Sequence, residues 1–228
     1  MRYIIAGSLI LISGIAVGQE KELFPHRGDW STGFESLRIG MPAEELWSRR
    51  PGANLSPIDA PHETGEGAEV RGTPHQEVLR NTPVEGVDLL VKYDIVDEKL
   101  DTILMLWIGD SETMRGLRKS FVGFCVENFG ASFQPDVVEQ YPKDARRHVA
   151  PLLCWDIGQQ SISASCTPDL VGTDLKKASF SLLIEPNRED STRRKTLRRN
   201  AEKGYARDES RRRAFESAGI SLPSGTEE

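Results

Sequence analysis

The chain is poor in the residues from which active sites are most often built. Its four histidines, His26, His62, His75 and His148, are scattered, and none stands at a recognised ligand spacing from a second His, a Cys or an acid. There is no G-x-S-x-G elbow, Ser-x-x-Lys pair, phosphate loop or dinucleotide fingerprint. No catalytic residue is therefore assigned, and neither a metal nor a cofactor is expected. The 35 acids do not change this, because a catalytic carboxylate pair is defined by geometry that sequence neighbours do not reveal. Cysteine is scarce too: Cys125, Cys154 and Cys166 are too few for a dense disulfide framework to replace a hydrophobic core. After the first 18 residues no apolar run approaches the length of a membrane span.

Those first residues are distinctive. Met1-Arg2-Tyr3 precedes an apolar run over 4–17 that contains Gly7, Ser8, Ser13 and Gly14, the form of a secretory signal peptide. Ala16 and Gly18 supply small residues at the minus-three and minus-one sites, so cleavage is expected after Gly18, leaving Gln19 as the mature N-terminus. The rival is an uncleaved anchor, but the run is shorter than the roughly 20 residues that span a bilayer. No Cys lies near the cleavage site to carry a lipid. The expected location is secreted or periplasmic.

Charge divides the rest of the chain. Residues 188–213 hold 11 Lys or Arg against 5 Asp or Glu, a local balance of +6 that leaves -12 for the remainder. The expected organisation is a signal peptide over 1–18, one α+β domain over 19–186, and a basic helical or disordered tail over 187–228. The tail has two readings. It is either a solvated helix whose Arg and Glu pair locally, or an anion-binding element using Arg193, Arg194, Arg198 and Arg199 against an anionic membrane surface or wall polymer. Nucleic acid is not an expected partner of a secreted chain.

Residues 87–130 organise the domain. Leu89, Val91, Tyr93 and Ile95 alternate with Asp88, Lys92 and Asp94, the period of a strand with one buried face. After the turn at 96–99, residues 103–108 are apolar on both faces and read as an interior strand. Asp110 or Ser111 can cap the helix that follows, Met114, Leu117, Phe121, Phe124 and Cys125 fall on one side of it, and Gly130 stops it. A charge at Phe121 is expected to unfold the domain. Pro42, Glu44 and Glu45 favour the start of a short helix over 42–50.

Residues 55–86 carry four prolines and four glycines and read as a long loop, with 69–71 and 77–79 as candidate short edge strands. Residues 131–150 read as loop, 152–157 and 161–166 as a second hairpin, and 178–184 as a further strand. The sum is an antiparallel sheet of about five strands, with a long helix (111–129) and a short one (42–50) packed on it and a charged C-terminal helical tail. Cys154 and Cys166 face each other if the hairpin turn is centred on Gln160. A two-residue turn at Gly158-Gln159 instead sets Cys154 opposite Ser163. Cys125 competes for either, and three buried thiols are the plain alternative.

Gly109-Asp110-Ser111, between a strand and a helix, resembles the nucleophile block of GDSL-type hydrolases, with Ser111 as nucleophile. Those enzymes place Asp and His two residues apart near the C-terminus. Here Asp144 and His148 are four apart, and helix capping accounts for Asp110 and Ser111 equally well. An esterase is thus the weakest of the functional readings.

Phe34-x-x-Leu37-x-Ile39-Gly40-Met41-x-x-x-Glu45-Leu46, the hairpin over 93–103, and Trp155-x-x-Gly158 leading into Ile162 together give a segment-level likeness over about 35–185. It resembles the BamE-like (SmpA/OmlA) domain of bacterial envelopes, a fold shared with the β-lactamase inhibitory protein. Pro42 stands where that opening usually has Ser or Thr, and Arg50-Pro51-Gly52 replaces its Leu-Gly-x-Pro. The resemblance implies an exported, non-catalytic envelope protein that acts through contacts with another envelope protein. The alternative is an inhibitor of a secreted hydrolase presenting 55–86, though that stretch has no aromatic anchor and only Arg71 and Arg80.

Overall fold

Alternation of apolar and polar residues builds strands, and paired alternating strands place whole rows of side chains on one face. The computed structural model describes residues 22–55, 73–80, 82–140, 148–167, 177–204 and 209–222. The expected signal peptide over 1–18 and the candidate strand at 69–71 lie outside the described residues. Seven antiparallel strands form one sheet: β1 Thr73–Leu79, β2 Asp88–Val96, β3 Lys99–Asp110, β4 Gln134–Gln140, β5 His148–Ile157, β6 Gln160–Thr167 and β7 Lys177–Pro186. Their spatial order is β1-β2-β3-β7-β6-β5-β4. Four α-helices accompany them: α1 Ala43–Arg49, α2 Ser111–Phe129, α3 Thr192–Glu202 and α4 Glu209–Ser217, with a short 3-10 turn at Pro51–Leu55.

The class is α+β, but the expected five strands and two packed helices are corrected to seven strands and four α-helices among the described residues. The two strands that sequence reading did not count are the two edges. β1 lies inside the expected loop over 55–86, and β4 inside the expected loop over 131–150. Each contains a proline, Pro74 or Pro135, which an edge tolerates because only one side of the strand is laddered. The charged tail is also more than an appendage, since α3 and α4 both pack on the sheet.

Connectivity follows from two meanders. β1-β2-β3 run side by side, α2 carries the chain from the centre to the far edge, and β4-β5-β6-β7 return until β7 pairs with β3. The β2–β3 turn holds Asp97 at φ 49° and Glu98 at φ 60°, the left-handed pair of a two-residue hairpin turn. Its outer side docks α1: Ala43 N–H donates to Glu98 O at 2.8 Å, and Leu100 N–H donates to Met41 O at 2.9 Å.

The inner face is the core. Register sets Val91, Met105, Leu182, Ala164 and Leu153 in one cross-strand row, with Leu89, Trp107, Phe180 and Cys166 in the next. α2 lies over them through Met114, Phe121, Phe124, Cys125 and Phe129. Phe121 stacks on Phe180 with centroids 4.8 Å apart, and Trp30 meets both Phe121 and Trp107 edge-on at 5.3 and 5.7 Å. Burying each such ring stabilises the fold by about 1.5–3 kcal/mol. The helix starts where it does because the Asp110 carboxylate accepts from Glu112 N–H at 3.0 Å and Thr113 N–H at 2.9 Å. It ends at Gly130, whose φ of 100° no side-chain-bearing residue adopts easily.

The outer face is divided. Over β4, β5, β6 and the end of β7 it is covered by α3 and lined with buried polar groups, among them Asp136, Ser163, Glu185, Arg193 and Asn200. Over β1, β2, β3 and the adjoining part of β7 it is partly buried and mixed: Leu90, Leu104, Leu106, Ile108 and Leu183 are half-buried beside Gln76, Lys92, Asp94 and Thr102, and Val78 is 56% exposed.

Candidate functional site

The residues singled out by sequence fall in separate places. Asp110 is the cap of α2, and hydrogen bonds from the helix hold its carboxyl below the usual range. The Ser111 hydroxyl is buried and without a hydrogen-bond partner among the described residues. His148 opens β5, three strands from β3, which is roughly 14 Å of backbone at the usual spacing. Asp144 lies outside the described residues.

Of the two hairpin registers that the sequence left open, the structure has the one that separates Cys154 from Cys166, so the possible disulfide between them does not form. The turn is the two-residue one, with Ile157 opposite Gln160 and Cys154 opposite Ser163. Cys166 therefore points into the core, in the row of Phe180, while Cys154 points to the opposite face beneath α3. All three cysteines are free and buried. Burial pushes Cys154 and Cys166 up to about 12 and Cys125 well above the ordinary thiol range, so all three are poor thiolates at neutral pH.

The four tail arginines do not form one anion-binding surface. Arg193 is only 3% exposed; its guanidinium bridges Asp156 at 3.1 Å and Gln134 at 2.5 Å. Arg194 donates to Asn187 Oδ1 at 2.9 and 3.1 Å, and only Arg198 and Arg199 of the set face solvent. A buried guanidinium tied to two partners is a structural group, so Arg193 leaves the expected set.

The two edges of the sheet offer a clearer contrast. At β4 three backbone groups not laddered to β5 are met by side chains. Val137 N–H donates to Asp136 Oδ1 at 2.7 Å, Val137 O accepts from Asn200, and Pro135 O accepts from Arg211 at 2.9 Å. Burial raises the Asp136 carboxyl, while its hydrogen bonds from Val137 and Asn200 work the other way. α4 completes the cover by inserting Phe215, 1% exposed, into the core, and its last carbonyl, Ser217 O, accepts from Arg118 of α2 at 2.9 Å.

At β1 the inner side is fixed and the outer side is open. Glu77 accepts a bidentate pair from Arg50 at 2.9 and 2.8 Å and a further bond from the Tyr93 hydroxyl. The Arg50 guanidinium also sits 4.4 Å over the Phe34 ring, and Trp47 packs against His75 with centroids 4.6 Å apart and the rings tilted by 48°. Burial, then the Glu77 charge, drives the Tyr93 hydroxyl far above its ordinary range, and burial lowers His75. These contacts clamp β1 onto α1 and the turn after it. Its other face carries Gln76 and the exposed Val78, continuous with Leu90 and Leu106 across the sheet. Among the described residues, no backbone hydrogen bond joins β1 to anything except β2. The candidate short edge strand at 77–79 falls inside β1, which begins four residues earlier, at Thr73.

Among the described residues, no group of three or more His, Cys, Asp or Glu could hold a metal ion, and no helix is long and apolar enough to cross a membrane. No family model, curated protein or solved structure matches this chain.

Proposed function

We propose that this is an exported, non-catalytic protein of the bacterial envelope that acts by binding another protein through the β1 edge and the uncovered outer face beside it. The observation that carries the reading is the inequality of the edges: the tail closes one, and among the described residues nothing but β2 is laddered to the other. An open edge can take an added strand from a partner, with main-chain bonds giving affinity and alternate side chains giving selectivity. The apolar row of Val78, Leu90 and Leu106 would bury against that partner. Export rests on the leader at 1–18, and the envelope context on the BamE-like segments. The outward cations Lys195, Arg198 and Arg199 of α3 would hold the protein near an anionic surface, and their neutralisation would abolish salt-sensitive binding to anionic vesicles.

A photocrosslinking residue at Val78, compared with one at the 66%-exposed Arg212, tests the reading in the native envelope. A discrete adduct from position 78 and none from position 212 is expected. No adduct at 78, or the same adducts at both, would refute it. If the adduct is a hydrolase whose activity falls on binding, the contact is inhibitory.

A further inference from the structure

On the side of the molecule away from the β1 outer face, α2 carries Ser120, Gly123 and Glu127 along its exposed surface. Residues 27–30 of the lead and 83–85 of the loop before β2 rise beside this surface and leave an open cavity of about 480 Å³, within the range of roughly 300–1,000 Å³ typical of ligand sites. From Leu117 to Glu127 the cavity follows α2 for about 15 Å. That length matches an extended peptide of about five residues.

The walls and the rim differ in character. Leu117 and the edges of Trp30 and Phe124, each 6% exposed, give the lining its apolar part, and Trp30 is held in place by its indole N–H donating to Ser120 Oγ at 3.1 Å. Gly123 lies in the floor, where a Cβ would meet nothing within 4 Å, so a ligand can approach the helix backbone closely. The rim holds Asp29, Glu85 and Glu127 against Arg27 alone. Among the described residues none of these three carboxylates has a hydrogen bond or ion pair. Unpaired carboxylates beside Leu117 and the ring edges suit a Lys or Arg side chain, with its stem along Leu117 and its charge at the rim.

We infer that this groove binds a short extended peptide from a partner protein that carries basic side chains next to apolar ones. The site is independent of the β1 edge and stands whether or not that edge binds a partner.

The probe is a fluorescently labelled pentapeptide of alternating Leu and Lys, titrated against the purified chain by fluorescence anisotropy, with a Leu/Glu analogue as control. The Lys peptide binds, the Glu analogue does not, and affinity falls as salt rises. Gly123→Trp fills the groove from a position with free space and abolishes binding, while Tm stays level or rises because a helical glycine is removed. Replacing Asp29 by Asn and both Glu85 and Glu127 by Gln weakens binding by about tenfold and flattens the salt dependence. Absence of binding by the wild-type chain, equal binding of the Glu analogue, or unchanged binding by Gly123→Trp would each overturn the inference.

Discussion

β4 and β1 end the same sheet, yet the chain treats them oppositely. Beside β4, Asn200, Arg211 and Arg193 reach in from the tail, so backbone and side-chain groups at that edge have partners inside the molecule. Beside β1, the corresponding contacts fix only the inner side, through Arg50, Glu77 and Tyr93. One edge is part of the fold's stability. The other can be altered at little cost to the fold, as expected of a surface kept for contact.

Substitutions at the two edges should therefore separate stability from binding. Phe215→Ala, which empties the anchor of α4, should cost about 3–5 kcal/mol in denaturant unfolding and expose the β4 side to aggregation. Asn200→Ala removes the donor to Val137 O and Asp136 and should cost about 1–3 kcal/mol by the same assay. Val78→Lys should change stability by no more than about 0.5 kcal/mol while removing the crosslinked partner. A Val78 variant that unfolds the protein, or a Phe215 variant that does not, would erase the distinction.

A pH series sharpens it further. Asp136 and Glu185 on the covered half, and Asp94 at the β2–β3 end, are raised mainly by burial. A raised carboxyl binds its proton more readily folded than unfolded, so its charge destabilises the fold above the raised pKa. That cost is relieved as pH falls through the raised pKa toward the unfolded value. Asp110 has the opposite sign: its contribution is present above the unfolded pKa and is lost as pH falls through its lowered one. Thermal stability should thus rise on mild acidification before general acid unfolding begins, and Asp136→Asn should flatten that rise. No rise in the wild-type protein would contradict the assignment.

Parts of this architecture were legible in the residues, for local reasons. The limits of α2 follow from Asp110, the apolar stripe through Phe121 and Gly130, all set within one segment. β2 and β3 declared themselves by alternation and a continuous apolar run. β1 showed only its last three residues, 77–79, and β4 none, because an edge strand needs no second ladder and here carries proline and polar residues. Burial of Arg193 depends on Asp156 and Gln134, which lie far away in sequence and come close only once the sheet is formed. The Cys154–Cys166 expectation turned on a single residue of register. For the α2 groove a signal was present, since Gly123 lowers helix propensity by about 1 kcal/mol relative to Ala.

Amide hydrogen exchange, read residue by residue on the isolated protein and again with its crosslinked partner, tests the inequality of the edges most directly. Val137 N–H, bonded to Asp136 and fully buried, should exchange slowly throughout. The alternate β1 amides that point away from β2 should exchange quickly in the free protein and slow down when the partner is added. Equal protection of the two edges in the free protein, or no slowing at β1 on binding, would contradict the assignment of that edge as the contact surface.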